Sequence, residues 1–302
     1  MGINKEFEQY HRRLFPDYEE FIASLRKPSR RSIRVNSLKV GRERVEEFLK
    51  KNNISFSQIP WCPDGLWIDS DCELDTVEHQ LGYYYIQNSS SMIPTLALDP
   101  YPGDYVLDMC AAPGSKTTHI AQLMENAGVL VANEASFVRV RALVINIQKA
   151  GASNVTVTRR DGVGYERYNQ RFDKVLLDAP CSDVGTARKN SQVIARWSVD
   201  RIHKLSNLQK KLIMSAYNTL RVGGTLVYST CTTSREENED VIEHLLKEKK
   251  EATLEKFDIP GIKTREGLTN KTRKTVRIMP QDNDTESYYI AKIVKTEEEK
   301  EF

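Results

Sequence analysis

The sequence predicts an α/β fold, a mostly parallel sheet covered by helices on both faces, preceded by a small α+β module. Three observations carry this. From residue 104 onward, short apolar runs alternate with amphipathic helical stretches, the signature of strands separated by crossover helices. Those runs are continuous rather than alternating in polarity, as strands buried on both faces are. Before residue 90 the pattern is different: two helical stretches, then strand-like pieces broken by prolines. The chain therefore divides into a small module, 1–90, and an α/β domain, 91–302.

Taken in order, FEQYHRRLF (7–15) and YEEFIASLRK (18–27) repeat apolar residues at helical steps, and RSIRVNSLKV (31–40) alternates as a strand. VEEFLKKNN (45–53) is a short amphipathic helix, and ISFSQIPWCPDGLWI (54–68) is strand interrupted by turns. IQNSSSMIPTLALDPYPG (86–103) crosses over, with Ser89 to Ser91 as a helix start. Strands follow at 104–110, 128–134, 154–162, 172–181 and 225–231. Helices fall at 115–126, 136–151, 199–224 and 238–250, the third of them closed by Gly223-Gly224. The closing EEEKEF (297–302) is a charged tail expected to fray.

A chain of 302 residues with net charge +2, 39% hydrophobic and 28% charged residues suits a soluble globular protein, with no run of apolar residues long enough for a membrane span. Five scattered cysteines without CxxC spacing argue against a zinc site or disulfide framework, hence for no metal and a reducing cytoplasm. Charge is concentrated locally. Residues 26–44 carry eight Lys or Arg against one acid, and KTRKTVR (271–277) repeats the theme, a pattern that can neutralise phosphates.

In parallel sheets ligands sit beyond the carboxyl ends of the strands. Asp108, Glu134, Asp161, Asp178, Cys181 and Cys231 all fall at or just past predicted strand ends, so they should face one crevice. DMCAAPGSKTTH (108–119) leads from strand to helix through small residues, without the spacing of a phosphate-binding loop. Glu134 is placed to accept ribose hydroxyls, and Asp161 an exocyclic adenine amine. An adenosine without phosphates fits this set, and S-adenosylmethionine is such a ligand. Each acid read alone is equally a cap or turn residue.

The cysteines suggest the second reactant. Carbon 5 of a pyrimidine becomes nucleophilic once a thiolate adds to carbon 6. Cys231, followed by small hydroxyl residues and an acid-rich helix start, is expected to have a lowered pKa. Asp178 would protonate or hydrogen-bond the ring nitrogen N3, and Cys181, or a water beside it, would help release the product. Two small buried thiols are the plain structural alternative.

DMCAAPGSKT (108–117), RRDG (159–162), LLDAPCSDVGT (176–186) and YSTCTTSREENEDVI (228–242) closely resemble, in order and spacing, the NOL1/NOP2/Sun family of RNA 5-methylcytosine methyltransferases. The resemblance covers roughly residues 30–295. It implies a Rossmann-like class I S-adenosylmethionine-dependent catalytic domain and an N-terminal RRM-like RNA-binding module. It implies that Cys110, Ala111, Ala112, Pro113, Gly114, Ser115 and Lys116 wrap the cofactor, that Glu134 and Arg139 hold its ribose side, and that Asp161 and Asp178 complete the pocket. By the same resemblance Cys231 is the nucleophile and Cys181 assists release. Ser115 stands where the family usually has a second glycine, Glu134 where aspartate is commoner. RIMPQDNDTESYYIAKI (277–293) resembles the family's closing strand but lacks its His and Gly. The expected substrate is tRNA, with rRNA the alternative, acted on by a monomer. A DNA cytosine methyltransferase using Cys181 would leave Cys231 unexplained, and a non-catalytic RNA-binding factor has no use for Cys231 with Asp178.

Overall fold

A computed structural model of the chain describes residues 3–69 and 71–297; the predicted charged tail lies outside the described residues from 298 onward. Two helices, α1 (Lys5–Leu14) and α2 (Tyr18–Leu25), open the chain. A small sheet follows: β1 (Arg31–Val35), β2 (Phe56–Gln58), β3 (Gly65–Ile68) and β4 (Tyr84–Ile86), in order β2-β3-β1-β4, with α3 (Arg42–Lys51) and the short α4 (Val77–Gln80) between its strands. Its pairs are all antiparallel, and Ile33, Val35, Val45, Leu49, Leu66 and Tyr84 fill one core beneath it. The helices α1 and α2 pack elsewhere: Phe7, Phe15, Phe21 and Leu25 share a cluster with Val184, Ile194, Trp197 and Met279 of the larger part.

After α5 (Ile93–Leu98) the large sheet begins. Its strands are β5 (Tyr105–Asp108), β6 (Val129–Asn133), β7 (Val155–Thr158), β8 (Phe172–Asp178) and β9 (Leu220–Thr230), then β10 (Ala252–Glu255), β11 (Arg265–Glu266), β12 (Val276–Ile278) and β13 (Tyr288–Lys295). The helices are α6 (Ser115–Leu123), α7 (Phe137–Ala150), α8 (Gln192–Ala195), α9 (Val199–Thr219), α10 (Glu239–Glu248) and α11 (Pro280–Asn283). The order is β7-β6-β5-β8-β9-β13-β12-β11, with β10 also on β13. The first five strands are parallel, and β13 runs antiparallel beside β9. Strand order reverses at β5, which lies between β6 and β8, and this switch point is where such sheets open a crevice. No helix among the described residues is long and apolar enough to cross a membrane.

Two expectations need correction. The long helix does not run to Gly223-Gly224: α9 stops at Thr219, and Leu220 already pairs with Phe172 in the sheet. The glycines lie inside β9, where the ladder shifts register and a Cβ on Gly224 would come within 2.9 Å of the Arg221 and Asp173 carbonyls. The basic stretch 26–44 is also less available than its charge count suggests. Arg30 bonds Asp69 and lies over the Trp67 ring, Arg31 donates to the Cys72 carbonyl, and Arg42 is engaged by Glu46 and the Pro63 carbonyl. Arg34 is 1% exposed: it donates to Gln87 and Gln122 and reaches across to the Ser115 carbonyl (2.8 Å) and Thr118 (2.9 Å) of α6. Arg26, Lys27, Lys39 and Arg44 remain exposed. In the second basic run Arg277 is buried, spanning both oxygens of Glu239.

Candidate active site

Two adjoining cavities of about 410 and 420 Å³ open beyond the carboxyl ends of β5, β6 and β8, sharing Cys110, Ala112, Arg139 and Asp178. The first is lined by Asp108, Ala111, Pro113, Ser115, Lys116 and Tyr288, the second by Glu134, Asp161, Cys181, Asp183 and Cys231. The six residues expected in one crevice are thus brought together, Asp108 in the neighbouring chamber. Gly114 lines neither cavity. Its φ of +110° turns the chain into α6, and a Cβ there would meet Leu143 of α7 at 3.1 Å.

The acids are held in different ways. Glu134 accepts from the Ser136 amide at 2.8 Å and lies 3.2 Å from Arg139, which also donates to the Ala112 carbonyl and so ties the β5 loop to the acid after β6. Asp161 lines the cavity while one oxygen accepts from the Val163 amide at 3.0 Å, capping a short 3-10 turn. Asp178 accepts from Lys116 Nζ and from Ser229, each at 2.7 Å. Lys116 is itself buried and also meets Tyr288 Oη at 3.2 Å. Asp108, 1% exposed, accepts from Thr117 through one oxygen and has no partner on the other. Burial, with the Asp178 and Glu134 charges adding, pushes its pKa up to about 7 against the opposing Thr117 bond.

At the far end the two thiols meet. Cys181 Sγ and Cys231 Sγ are 3.3 Å apart, with Asp183 Oδ1 at 3.5 and 3.3 Å from them respectively. Their loops are fastened together by long-range contacts. The Gly185 amide donates to the Cys231 carbonyl at 2.7 Å, and a side chain on Gly185 would run into that carbonyl and Ser287. Glu237, fully buried, accepts from the Ser182 amide (3.0 Å), Ser182 Oγ (2.5 Å) and Gln209 (3.0 Å), while Ser182 also meets Thr232 at 2.7 Å. From α1, His11 Nε2 reaches Thr233 at 2.8 Å and its Nδ1 the Phe7 carbonyl at 2.9 Å. Burial drives the His11 pKa down to about 3, so the ring is neutral.

The expected lowering of the Cys231 pKa is overturned. The hydrogen bond with Cys181 pulls it down, but burial and the Asp183 and Asp178 charges outweigh that and leave it raised; α10 begins only at Glu239, away from the sulfur. The bond to Cys231 and burial push Cys181 higher still. Sequence reasoning missed Asp183, Glu237 and Tyr288. Asp183 was legible in principle, two residues past Cys181; Glu237 and Tyr288 reach the site by folding, and no local pattern marks them.

The family described as 16S rRNA methyltransferase RsmB/F matches residues 95–294, and the N-terminal domain of the 16S rRNA methyltransferase RsmF matches residues 3–89. The chain belongs to the NOL1/NOP2/Sun family of RNA 5-methylcytosine methyltransferases. It is 46% identical to a tRNA (cytosine(49)-C(5))-methyltransferase of Pyrococcus abyssi, over 98% of this chain and 99% of that one. It is 45% identical to ribosomal RNA small subunit methyltransferase F of Vibrio cholerae, over 91% of this chain and 60% of that one. Among solved structures, a methyltransferase homolog from Pyrococcus horikoshii superposes with a TM-score of 0.86 at 33% identity, covering 97% of this chain and 96% of that one. NSun6 of the same organism, solved with the S-adenosylmethionine analogue SFG, superposes with a TM-score of 0.88 at 26% identity, covering 98% and 99%.

Members of this family take their methyl group from S-adenosylmethionine, and the residues present fit it. The buried, unpartnered oxygen of Asp108 calls for a donor or cation, and Glu134 and Asp161 line the adjoining wall without a phosphate-binding loop between them. When bound, the group supplies an electrophilic methyl on a positively charged sulfonium.

Proposed function

We propose that this enzyme methylates carbon 5 of a cytosine in tRNA, through a transient bond between Cys231 Sγ and carbon 6. The observation that carries the reading is the thiol pair, 3.3 Å apart, in the wall of a cofactor-sized cavity and fastened there by Glu237 and Gly185. Cys231 attacks and Cys181 assists release of the methylated base. Asp178 steadies the ring during attack, with Lys116 beside it as donor. Asp108 would take the amino group of the methyl donor, Glu134 and Arg139 its ribose, Asp161 its adenine amine, and the loop from Cys110 to Lys116 the remainder. Residues 1–90 are the RNA-binding module and 91–302 the catalytic domain. Reaching carbon 6 requires the target base to leave its stack, at a few kcal/mol.

Support for tRNA is the 46% identity over 99% of the tRNA enzyme. An rRNA substrate is the second reading, favoured by the RsmF relatives, of whose length the chain spans about 60%. The reading also places the enzyme in the cytoplasm, where thiols stay reduced, as a monomer without a metal; sedimentation and activity after chelation test those two points. Tritiated methyl incorporation into tRNA and into small-subunit rRNA decides the substrate. Cys231→Ala should give no incorporation while still binding S-adenosylmethionine. Cys181→Ala should leave a protein–RNA band on a denaturing gel. Full activity in the first variant sinks the mechanism.

A further inference from the structure

Asp183 stands between the two thiols and has no role in the reaction proposed for them. Its φ of +62° and ψ of 19° put it in the left-handed region, uncommon outside glycine though aspartate enters it more readily than most residues. The turn is fixed by the Asp183 carbonyl, which accepts from the Thr186 amide and hydroxyl at 2.9 and 2.8 Å. That geometry points the carboxylate back at the sulfurs, with one oxygen 3.3 Å from Cys231 Sγ and 3.5 Å from Cys181 Sγ. The other ionisable groups facing this spot are engaged. Asp178 at the end of β8 takes Lys116 of α6 and Ser229, Tyr288 of β13 meets Lys116, and Glu237 after β9 is held by Ser182 and Gln209. Cys231 Sγ meets Cys181 and Asp183, and of these two the carboxylate is the one built to accept a proton.

We infer that Asp183 is a catalytic residue that takes the Cys231 thiol proton and couples the two cysteines, an inference whose reaction step rests on the function proposed above. As Cys231 Sγ bonds to carbon 6, its S–H bond breaks and the proton passes to Asp183, while the electron pair of the carbon 5–carbon 6 bond moves into the ring and then onto the incoming methyl. Neutralised, Asp183 loosens its hold on the Cys181 thiol, so attack by one cysteine frees the other. At release the carbon 5 proton leaves to a water beside the freed Cys181, its bonding pair re-forms the carbon 5–carbon 6 double bond, the carbon 6–sulfur pair returns to Cys231, and Asp183 gives the proton back. The balance is one methyl gained and one proton lost by the RNA.

The test pairs Cys181→Ala with Cys181→Ala/Asp183→Asn. Alkylation of Cys231 by iodoacetamide is followed against pH without RNA, and covalent adduct formation is timed with a cytosine-containing tRNA. Removing the carboxylate charge should move the alkylation midpoint to lower pH. Compared at a pH the same distance below each protein's own midpoint, so that both carry the same thiolate fraction, losing the proton acceptor should slow adduct formation about 100-fold or more, with tRNA Kd within about twofold. An unmoved midpoint overturns the inference, as does an unchanged adduct rate. If Asp183→Asn does not fold, Asp183→Gly, which suits the left-handed φ, should show the same two changes. A shifted midpoint with no adduct from either protein supports Asp183 as the thiol's proton partner and sinks the proposed reaction instead.

Discussion

The two ends of the crevice are built on opposite principles. At one end a buried group is left with capacity to spare, Asp108 having an oxygen without a partner, while the exposed Asp161 commits one oxygen to a cap. At the thiol end, the Cys181 and Cys231 loops are cross-braced by Glu237, Gly185, Ser182 and His11, from separate stretches of chain. A binding surface gains by keeping polar groups unsatisfied until a ligand arrives, whereas a covalent step needs its atoms held to a fraction of an ångström.

The largest break in that contrast is Gly185→Ala. Its Cβ would lie 2.4 Å from the Ser287 carbonyl and 2.8 Å from that of Cys231, so the loop must move. Turnover should fall by about 100-fold and stability by about 1–3 kcal/mol, with S-adenosylmethionine affinity little changed; calorimetric titration and thermal melts separate the two ends. Glu237→Gln comes next. It turns an acceptor into a donor facing Ser182 or Gln209, and should cost about 1–3 kcal/mol in denaturant unfolding and lower kcat more than the cofactor KM.

At the opposite end Asp108→Asn should weaken S-adenosylmethionine binding and leave Cys231 alkylation alone. A bound amino group favours the ionised carboxylate, and in the free protein the carboxyl has its pKa at about 7. Affinity should therefore rise with pH up to about 7 and flatten above it. The variant should lose that slope, read by calorimetry in buffers of different ionisation heat. The smallest effect is expected from Lys39→Glu with Arg44→Glu, exposed charges of the N-terminal module. The salt dependence of RNA binding should drop by a slope of about 0.7–0.9 for each phosphate that is no longer neutralised; an unchanged slope removes this face from the interface.

What the sequence disclosed follows the same division. The loop from Cys110 to Lys116 runs through consecutive residues and lines the first cavity, so a local pattern suffices to single it out. Strand exits could be read from apolar runs, which placed Glu134, Asp161, Asp178 and both cysteines. Glu237 was hidden because its role exists only after β8 and β9 pair and bring Ser182 to it, and Tyr288 because its role waits on β13 pairing with β9. For the basic stretch, counting charges does not disclose that Arg30 finds Asp69, or that Arg34 finds Gln87 and Gln122. The Cys231 pKa was misjudged because the helix start was weighed and burial, with the facing Asp183 and Asp178 charges, was not.

Arg34 belongs to β1 of the small sheet, yet two of its bonds end on the first turn of α6, beside Lys116. Burial lowers its pKa only to about 10, so it stays charged, and withdrawing its partners would strand a cation in the interior. The small sheet and the start of α6 are thereby geared together. An RNA leaning on β1 would push, through one guanidinium, on the helix that carries Lys116 and its bond to Asp178.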